Sequence, residues 1–262
     1  MIDRDLIRQN DIYLINDSFQ NRKQYNIPKA QLVIADIPYN VGNNAYASNI
    51  RWYKDGNIKN GQSELANSQF FDTDKNFNLN EFFHFCSKLI KPEPKEVNKA
   101  GTLIVFCAFE QQFELINLAK QYGFKNYIPL SFYKNYSPQV LKANMRIVGN
   151  TEYAILFYRD KLPKFNNNHR MIFNSMPYVR DTTIEKIHPT QKSTQVLKHL
   201  ITLFTDVGDV VIDPCAGSGS TLIAAAQLNR KAYGFEIKKE YVNKFNNLLK
   251  TSIQKDLFSS CG

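Results

Sequence analysis

Two short stretches of this 262-residue chain carry side chains whose types and order could do chemistry. The first is Asp36-Ile37-Pro38-Tyr39, which directly follows the apolar run Gln31-Leu32-Val33-Ile34-Ala35. Such a run predicts a strand, and the tetrapeptide would then lie at a carboxyl end of a sheet, where α/β folds bind ligands. There the Asp36 carboxylate and the Ile37 carbonyl can both accept N–H bonds from one amine. An amine conjugated to a heteroaromatic ring is a poor nucleophile, because its lone pair is delocalised into that ring. Two acceptors favour a pyramidal nitrogen whose lone pair points outward. Tyr39 offers a face on which a base flipped out of a duplex can stack. Taken alone, the same four residues also suit a plain turn at a strand end.

The second stretch is Val210-Val211-Ile212-Asp213-Pro214-Cys215-Ala216-Gly217-Ser218-Gly219-Ser220-Thr221. A strand runs into a small-residue turn and then into an alanine-rich helix. Glycines at 217 and 219 let a ligand approach the backbone, and the helix start offers free N–H groups. Glu236, nineteen residues beyond Gly217, ends the next strand, where an acid can take the hydroxyls of a ribose. A dinucleotide fingerprint would need a third glycine where Leu222 stands. Asp213 is an awkward neighbour for pyrophosphate but a good one for a cationic amino acid, and S-adenosylmethionine carries a sulfonium and an α-ammonium group. A tight strand-to-helix turn without a ligand is the alternative.

Together the two stretches resemble the β-class DNA amino-methyltransferases. Asp36-Ile37-Pro38-Tyr39-Asn40 is similar to their D-P-P-Y-N motif, and Asp213–Thr221 to their D-P-F-x-G-S-G-T loop. His188-Pro189-Thr190-Gln191-Lys192 resembles their H-P-T-Q-K-P segment, and Asn16-Asp17 their glycine–aspartate pair. Asp36 precedes Asp213 by 177 residues, the permuted order of that class; protein-glutamine and many RNA methyltransferases place the motifs the other way round. The resemblance implies an α/β, Rossmann-like methyltransferase fold, with a mostly parallel seven-stranded sheet and helices on both faces. It implies methyl transfer from S-adenosylmethionine by Asp36, Ile37, Pro38 and Tyr39. Cofactor contacts would come from Asp17, Asp36, His188, Thr190, Lys192 and Glu236, and from the loop residues Asp213, Pro214, Cys215, Ala216, Gly217, Ser218, Gly219 and Thr221. In this reading Asp17 lies near the adenine and Lys192 near the cofactor carboxylate. Aspartate at the first motif position points to adenine N6, with cytosine N4 as the alternative. Three residues depart from the pattern: Ile37 and Ser193 replace prolines, and Cys215 replaces an aromatic residue.

Alternating strand-like and helix-like segments must position these groups. Strands are expected at 12–15, 31–35, 102–107, 128–133, 152–158, 210–213 and 232–236. Helices are expected at 79–90, 110–122, 218–228 and 239–250, with a further one starting at Pro189, since proline suits a first helical position. One methyltransferase domain then spans residues 1–262, carrying a polar insertion at 41–78 and a basic target-recognition segment at about 134–187. The insertion is too long for an ordinary connection. It holds Trp52 and Tyr53, which could close over a flipped base or pack in a core.

The net charge of +9 points to a polyanionic partner. Ten lysines and arginines stand against four acids between Lys134 and Lys192, a surplus of six. Lys142, Arg146, Lys164, Arg170 and Arg180 are the DNA-contact candidates, mostly for phosphates. Double-stranded DNA is the expected partner, with single-stranded DNA and a homodimer left open. Cys86, Cys107, Cys215 and Cys261 form no metal or disulfide pattern, so no metal is expected. No signal-peptide core and no membrane-length apolar run is present, so a cytoplasmic protein is expected. A restriction–modification system or a mobile element is the expected setting. The reading from another class is a catalytically silent nucleic-acid-binding module, against which the intact Asp36, Tyr39 and glycine loop speak.

Overall fold

Side chains alternate across a strand, so each apolar strand here feeds two cores, one on either face of the sheet. The computed structural model of the chain describes residues 12–39, 77–136, 139–142, 147–179 and 191–259. Its strands are β1 (Ile12–Ile15), β2 (Leu32–Asp36), β3 (Thr102–Cys107), β4 (Asn126–Tyr133), β5 (Gln139–Lys142), β6 (Ile147–Gly149), β7 (Thr151–Tyr158), β8 (Ser175–Pro177), β9 (Val210–Asp213) and β10 (Lys231–Phe235). Its helices are α1 (Leu79–Leu89), α2 (Gln112–Gln121), α3 (Thr194–Phe204), α4 (Ser220–Gln227) and α5 (Lys239–Ser259).

The main sheet runs β1-β10-β9-β2-β3-β7-β4-β8, while β5 and β6 pair as a separate hairpin. Within the main sheet only β7 runs against the others. Leu32, Ile34, Ile104 and Phe106 pack on one face with Leu197 and Ile201 of α3 and Leu222 and Ala225 of α4. Val33, Ala35, Leu103 and Val105 face the opposite core, with Phe82, Phe83 and Phe85 of α1 and Leu115 of α2. Helices on both faces are therefore as expected.

Two expectations change. The sheet has eight strands rather than seven, because Ser175–Pro177 adds to the edge beside β4. Three residues, two of them exposed and one a proline, carry no apolar alternation that a sequence pattern could register. The helix expected from Pro189 begins at Thr194. Ser193 is held extended instead: its N–H donates to the Tyr178 hydroxyl (2.9 Å) and its own hydroxyl donates to the Val179 carbonyl (2.5 Å). The segment expected to be a long insertion lies outside the described residues as far as residue 76. At its end, Asn78 caps α1 by accepting N–H bonds from Asn80 (2.9 Å) and Glu81 (3.2 Å).

At the carboxyl end of β9 the chain turns through Gly217 (φ 51°) and Gly219 (φ 76°) into α4. The two glycines serve different purposes. A Cβ on Gly219 would stand 2.4 Å from the Phe245 ring, whereas one on Gly217 would meet nothing within 4 Å. Gly219→Ala should therefore cost about 2–4 kcal/mol, from left-handed strain plus displacement of a buried ring. Gly217→Ala should cost only the strain, about 1–2 kcal/mol. Urea unfolding of the two variants side by side checks the difference.

Candidate active site

Register brings the first motif to the sheet's carboxyl edge. Asp36 ends β2 opposite Phe106 of β3, and the Ile37 N–H continues the ladder by donating to the Phe106 carbonyl (3.3 Å). Proline at 37 would lack that N–H, so the departure from the family pattern adds a strand bond rather than leaving a gap. The Ile37 side chain is buried in the core beneath, and its neighbour Pro38 is pinned by Gln111, whose amide donates to the Pro38 carbonyl (3.0 Å). Gln111 is itself oriented by the Ala108 N–H (3.0 Å) at the turn leading into α2.

Side chains pointing to the same face as Asp36 include Phe106, Phe132 and, at the start of the antiparallel β7, Glu152. Lys134 follows β4 and Lys192 precedes α3, and both ammonium groups end at Glu152. Lys192 Nζ lies 2.8 Å from Glu152 Oε2, 3.2 Å from Asp36 Oδ1 and 3.1 Å from the Tyr39 hydroxyl, to which it donates. Lys134 pairs with the other oxygen of Glu152. The Lys192 ammonium also lies 4.9 Å from the Phe106 ring centre, and that of Lys134 lies 4.6 Å from the Tyr178 ring centre. Four charges, two of each sign, thus meet in one partly dehydrated cluster. Asp36 Oδ1 is buried, and its near donor, the Lys192 ammonium at 3.2 Å, is not aligned on it as a hydrogen bond.

Burial raises the Asp36 carboxyl above its ordinary range; Lys192 opposes the rise and Glu152 adds to it. Burial would also raise Glu152, but Lys192 and Lys134 hold it below its usual value. Burial works against a charged Lys192, yet Asp36 and Glu152 raise its pKa well above that of a free lysine. The Tyr39 hydroxyl is pushed well up by burial and by the Asp36 charge, so it stays protonated.

Beside this cluster, β9 continues the sheet next to β2 and delivers the glycine loop. Asp213 is 4% exposed, accepts the Cys215 N–H (3.0 Å) and, pushed by burial, has a pKa of about 7. A carboxylate so costly to ionise gains from a nearby cation. Glu236 folds back over the loop: one oxygen accepts the Gly217 N–H (2.9 Å) and the other the Lys238 N–H (2.7 Å). Asn16 ties the end of β1 to the same corner by donating to the Glu236 carbonyl (2.9 Å). The Cys215 thiol is raised by burial and remains protonated, unsuited to act as a nucleophile. Leu222, standing where a dinucleotide loop has glycine, packs on Gly234, where a Cβ would sit 2.8 Å from it. The close helix–strand approach is thus supplied by a glycine on the strand. The open space over Gly217, the ribose-suited acid and the buried Asp213 fit an adenosine-bearing cofactor with a cationic tail.

The other expected residues are placed as follows. The Asp17 carboxylate is engaged by Ser18 (2.7 Å), Asn21 (2.8 Å) and Tyr25 (2.8 Å), and closes the turn after β1. Lys192 sits on the Asp36 side, held by the first motif. Lys164 lies at the opposite, amino end of the sheet, paired with Asp206 and within 3.6 Å of Asp209. The cause is local: its N–H donates to the carbonyl of Ala100, just before β3, and the neighbouring Asn166 is bonded to the end of α3. Arg170 is exposed on a turn. Lys142 belongs to β5. Trp52, Tyr53, Arg146, Arg180, His188 and Thr190 lie outside the described residues. Lys134, Gln111 and Glu152 were not singled out from the sequence as site residues. The available signal for Glu152 was a lone acid opening an otherwise apolar strand. Among the described residues no group of His, Cys, Asp and Glu could hold a metal ion, and no helix is long and apolar enough to cross a membrane.

Comparison with known proteins agrees with this geometry. Residues 30–247 match the DNA methylase family of N6 and N4 methyltransferases. The chain is 24% identical over 250 residues to the type II methyltransferase M2.LlaDCHI of Lactococcus lactis subsp. cremoris, covering 90% of this chain and 87% of that one. It is 26% identical over 248 residues to the DNA adenine methyltransferase YhdJ of Escherichia coli K12, covering 86% and 78% respectively. The fold matches the crystal structure of the M1.HpyAVI–SAM complex with a TM-score of 0.64 at 22% identity, over 91% of this chain and 98% of that one. With the motif at the end of β2, the glycine loop at the end of β9 and a family match across most of its length, the chain belongs to the DNA methylase family and is an S-adenosylmethionine-dependent DNA amino-methyltransferase.

Proposed function

We propose that the protein methylates adenine N6 at a specific DNA sequence. The observation that carries this reading is Asp36 Oδ1: a buried carboxylate oxygen with the long 3.2 Å contact of Lys192, a lysine bonded more closely to Glu152, at the mouth of the sheet beside the cofactor loop. A buried acceptor whose hydrogen bonding is incomplete is costly unless a ligand completes it. The exocyclic amine of a flipped base is such a ligand, and the Ile37 carbonyl next to Asp36 is the second acceptor. Tyr39, its hydroxyl fastened by Lys192, presents its ring for stacking on the base. S-adenosylmethionine supplies an electrophilic methyl group on its sulfonium. The loop Asp213–Thr221 holds the methionine end, Glu236 takes the ribose, and Asp213 favours the α-ammonium. An aspartate rather than a serine at position 36, and the likeness to YhdJ, support adenine; cytosine N4 presents the same amine chemistry.

The target-reading surface is assigned to residues 134–187. Several cations of that segment already have partners within the protein: Lys134 in the site, Lys164 in its aspartate pairs, and Arg159, which donates to the carbonyls of Lys91 (3.2 Å) and Ser87 (2.7 Å). Phosphate contacts are therefore assigned to Lys142, Arg146, Arg170 and Arg180. Neutralising two of these four should weaken binding to all DNA sequences and lower the slope of log affinity against log salt by about 0.9 per lost contact. Titrations at several salt concentrations measure it.

Incubation with labelled S-adenosylmethionine and unmodified genomic DNA, followed by digestion to nucleosides and mass spectrometry, tests the whole reading. N6-methyladenine is expected; N4-methylcytosine as the sole product would overturn the base assignment. Asp36→Ala should bind cofactor and DNA normally and transfer methyl about 100-fold more slowly or worse, on the scale of losing one preorganised electrostatic contact. Near-normal single-turnover rates would remove Asp36 from the amine site.

Gly217→Val should fold yet lose S-adenosylmethionine, because its branched side chain enters the open space over the loop. A tenfold or greater rise in Kd by calorimetry, about 1.4 kcal/mol, is expected.

A further inference from the structure

Glu152 has no part in the two motifs, yet it is the group on which the charge cluster converges. It comes from the start of β7, which reaches the active-site edge only because that strand runs antiparallel to its neighbours. Its two oxygens are divided between two lysines: Oε2 takes Lys192 (2.8 Å) and Oε1 takes Lys134. Lys134 is 8% exposed and is fixed at its backbone by Asn150, which accepts its N–H (2.7 Å) and donates to its carbonyl (3.1 Å). One side of the arrangement is therefore rigid. Lys192 is the member that also touches the first motif, at Asp36 (3.2 Å) and Tyr39 (3.1 Å).

Two cations facing one anion would have a different outcome. Without Glu152, the Lys192 ammonium has Asp36 as its remaining anionic neighbour and would close on it. The carboxylate oxygen that must receive the base amine would then be held more tightly by the lysine, and the amine would displace it less readily. With Glu152 present, the ammonium makes its shorter charged bond to Glu152 (2.8 Å) and its longer one to Asp36 (3.2 Å). We propose that Glu152 is a positioning residue for methyl transfer: by taking Lys192 in the shorter bond (2.8 Å) it leaves the lysine's contact with Asp36 Oδ1 long (3.2 Å), so that the base amine can displace it there while the lysine still orients Tyr39. This rests on the reading of Asp36 as the amine acceptor.

A purely structural role, in which Glu152 merely neutralises buried Lys134, makes a different prediction, and a double variant separates the two. Glu152→Gln alone should slow single-turnover methyl transfer by about 10- to 100-fold, the scale on which misplacing a reacting group by an ångström acts. The Kd for S-adenosylmethionine should stay within twofold of wild type, and the variant should unfold at lower denaturant because Lys134 is left without its anion. Lys134→Met with Glu152→Gln restores a neutral cluster; it should recover stability but not the transfer rate. Wild-type transfer in the double variant would overturn the proposal, since Glu152 would then only balance Lys134. A second readout needs no turnover. The Lys192 side-chain ammonium resonance, assigned by its loss in Lys192→Met, should be protected from exchange in the wild type and should shift with titration of Asp36 in Glu152→Gln. An unchanged Lys192 resonance in Glu152→Gln would also overturn it. Absence of methyl transfer by the wild type would instead refute the functional reading, and the resonance would still report whether Glu152 places the lysine.

Discussion

The active-site edge depends on the contact of one buried ammonium, that of Lys192, with two carboxylates, Asp36 and Glu152. Removing a charge from water costs several kcal/mol, and the cost is recovered only where partners are close and aligned. Here the sum of charges is balanced by Lys134, and two aromatic rings, Phe106 and Tyr178, cover the cations. Such a cluster is poor evidence for stability, since an apolar replacement of similar volume would often fold as well. Its place at the mouth of the sheet fits the proposed site, where Asp36 receives an amine. Every element that contributes to it is therefore constrained in register: β2 must end at Asp36, β7 must begin near Glu152, and α3 must start after Lys192.

That last requirement explains why the helix begins later than its proline suggests. A helix running from Pro189 would carry Lys192 round with its turn. Instead Tyr178 and Val179 hold Ser193 in an extended conformation, and Lys192 reaches the cluster from a non-helical segment just ahead of the helix. Ser193 replaces a proline of the family pattern, and both its N–H and its hydroxyl are used, neither of which proline has. Ile37 follows the same logic, its N–H taken by Phe106. Two of the three departures from the pattern thus exchange the rigidity of proline for a specific hydrogen bond. The third, Cys215, leaves a small, protonated thiol in the cofactor loop.

The basic surplus between 134 and 192 is divided by the fold into groups with different purposes. Part of it is internal. Lys134 and Lys192 serve the site, Arg159 secures the end of α1, and Lys164 joins Lys91 in holding Asp206 and Asp209 at the far end of the sheet. Charge density along a sequence therefore overstates the charge available to DNA. What remains is a smaller set of cations on the segment between β4 and α3.

From the sequence alone, seven of the ten described strands and the five helices could be read, because apolar alternation and small-residue turns are local properties of the chain. The short β5, β6 and β8 could not. The two motifs were legible for the same reason: Asp36–Tyr39 and Asp213–Thr221 are contiguous, and each follows a strand that aims it at the same edge. Position along the chain could not reveal which distant groups share a face. Glu152 lies 116 residues from Asp36 in sequence, and only the antiparallel turn of β7 and its pairing with β3 bring them to one lysine. Lys164 and Lys134 look alike as basic residues of one segment, yet the sheet sends one to its amino end and the other to its reactive end. The eighth strand, three residues long, exists because β4 offers it an edge. Local pattern determined the elements and the chemistry they carry; tertiary pairing decided which charges meet, because a charge is placed by the strand it sits on and the neighbour that strand finds.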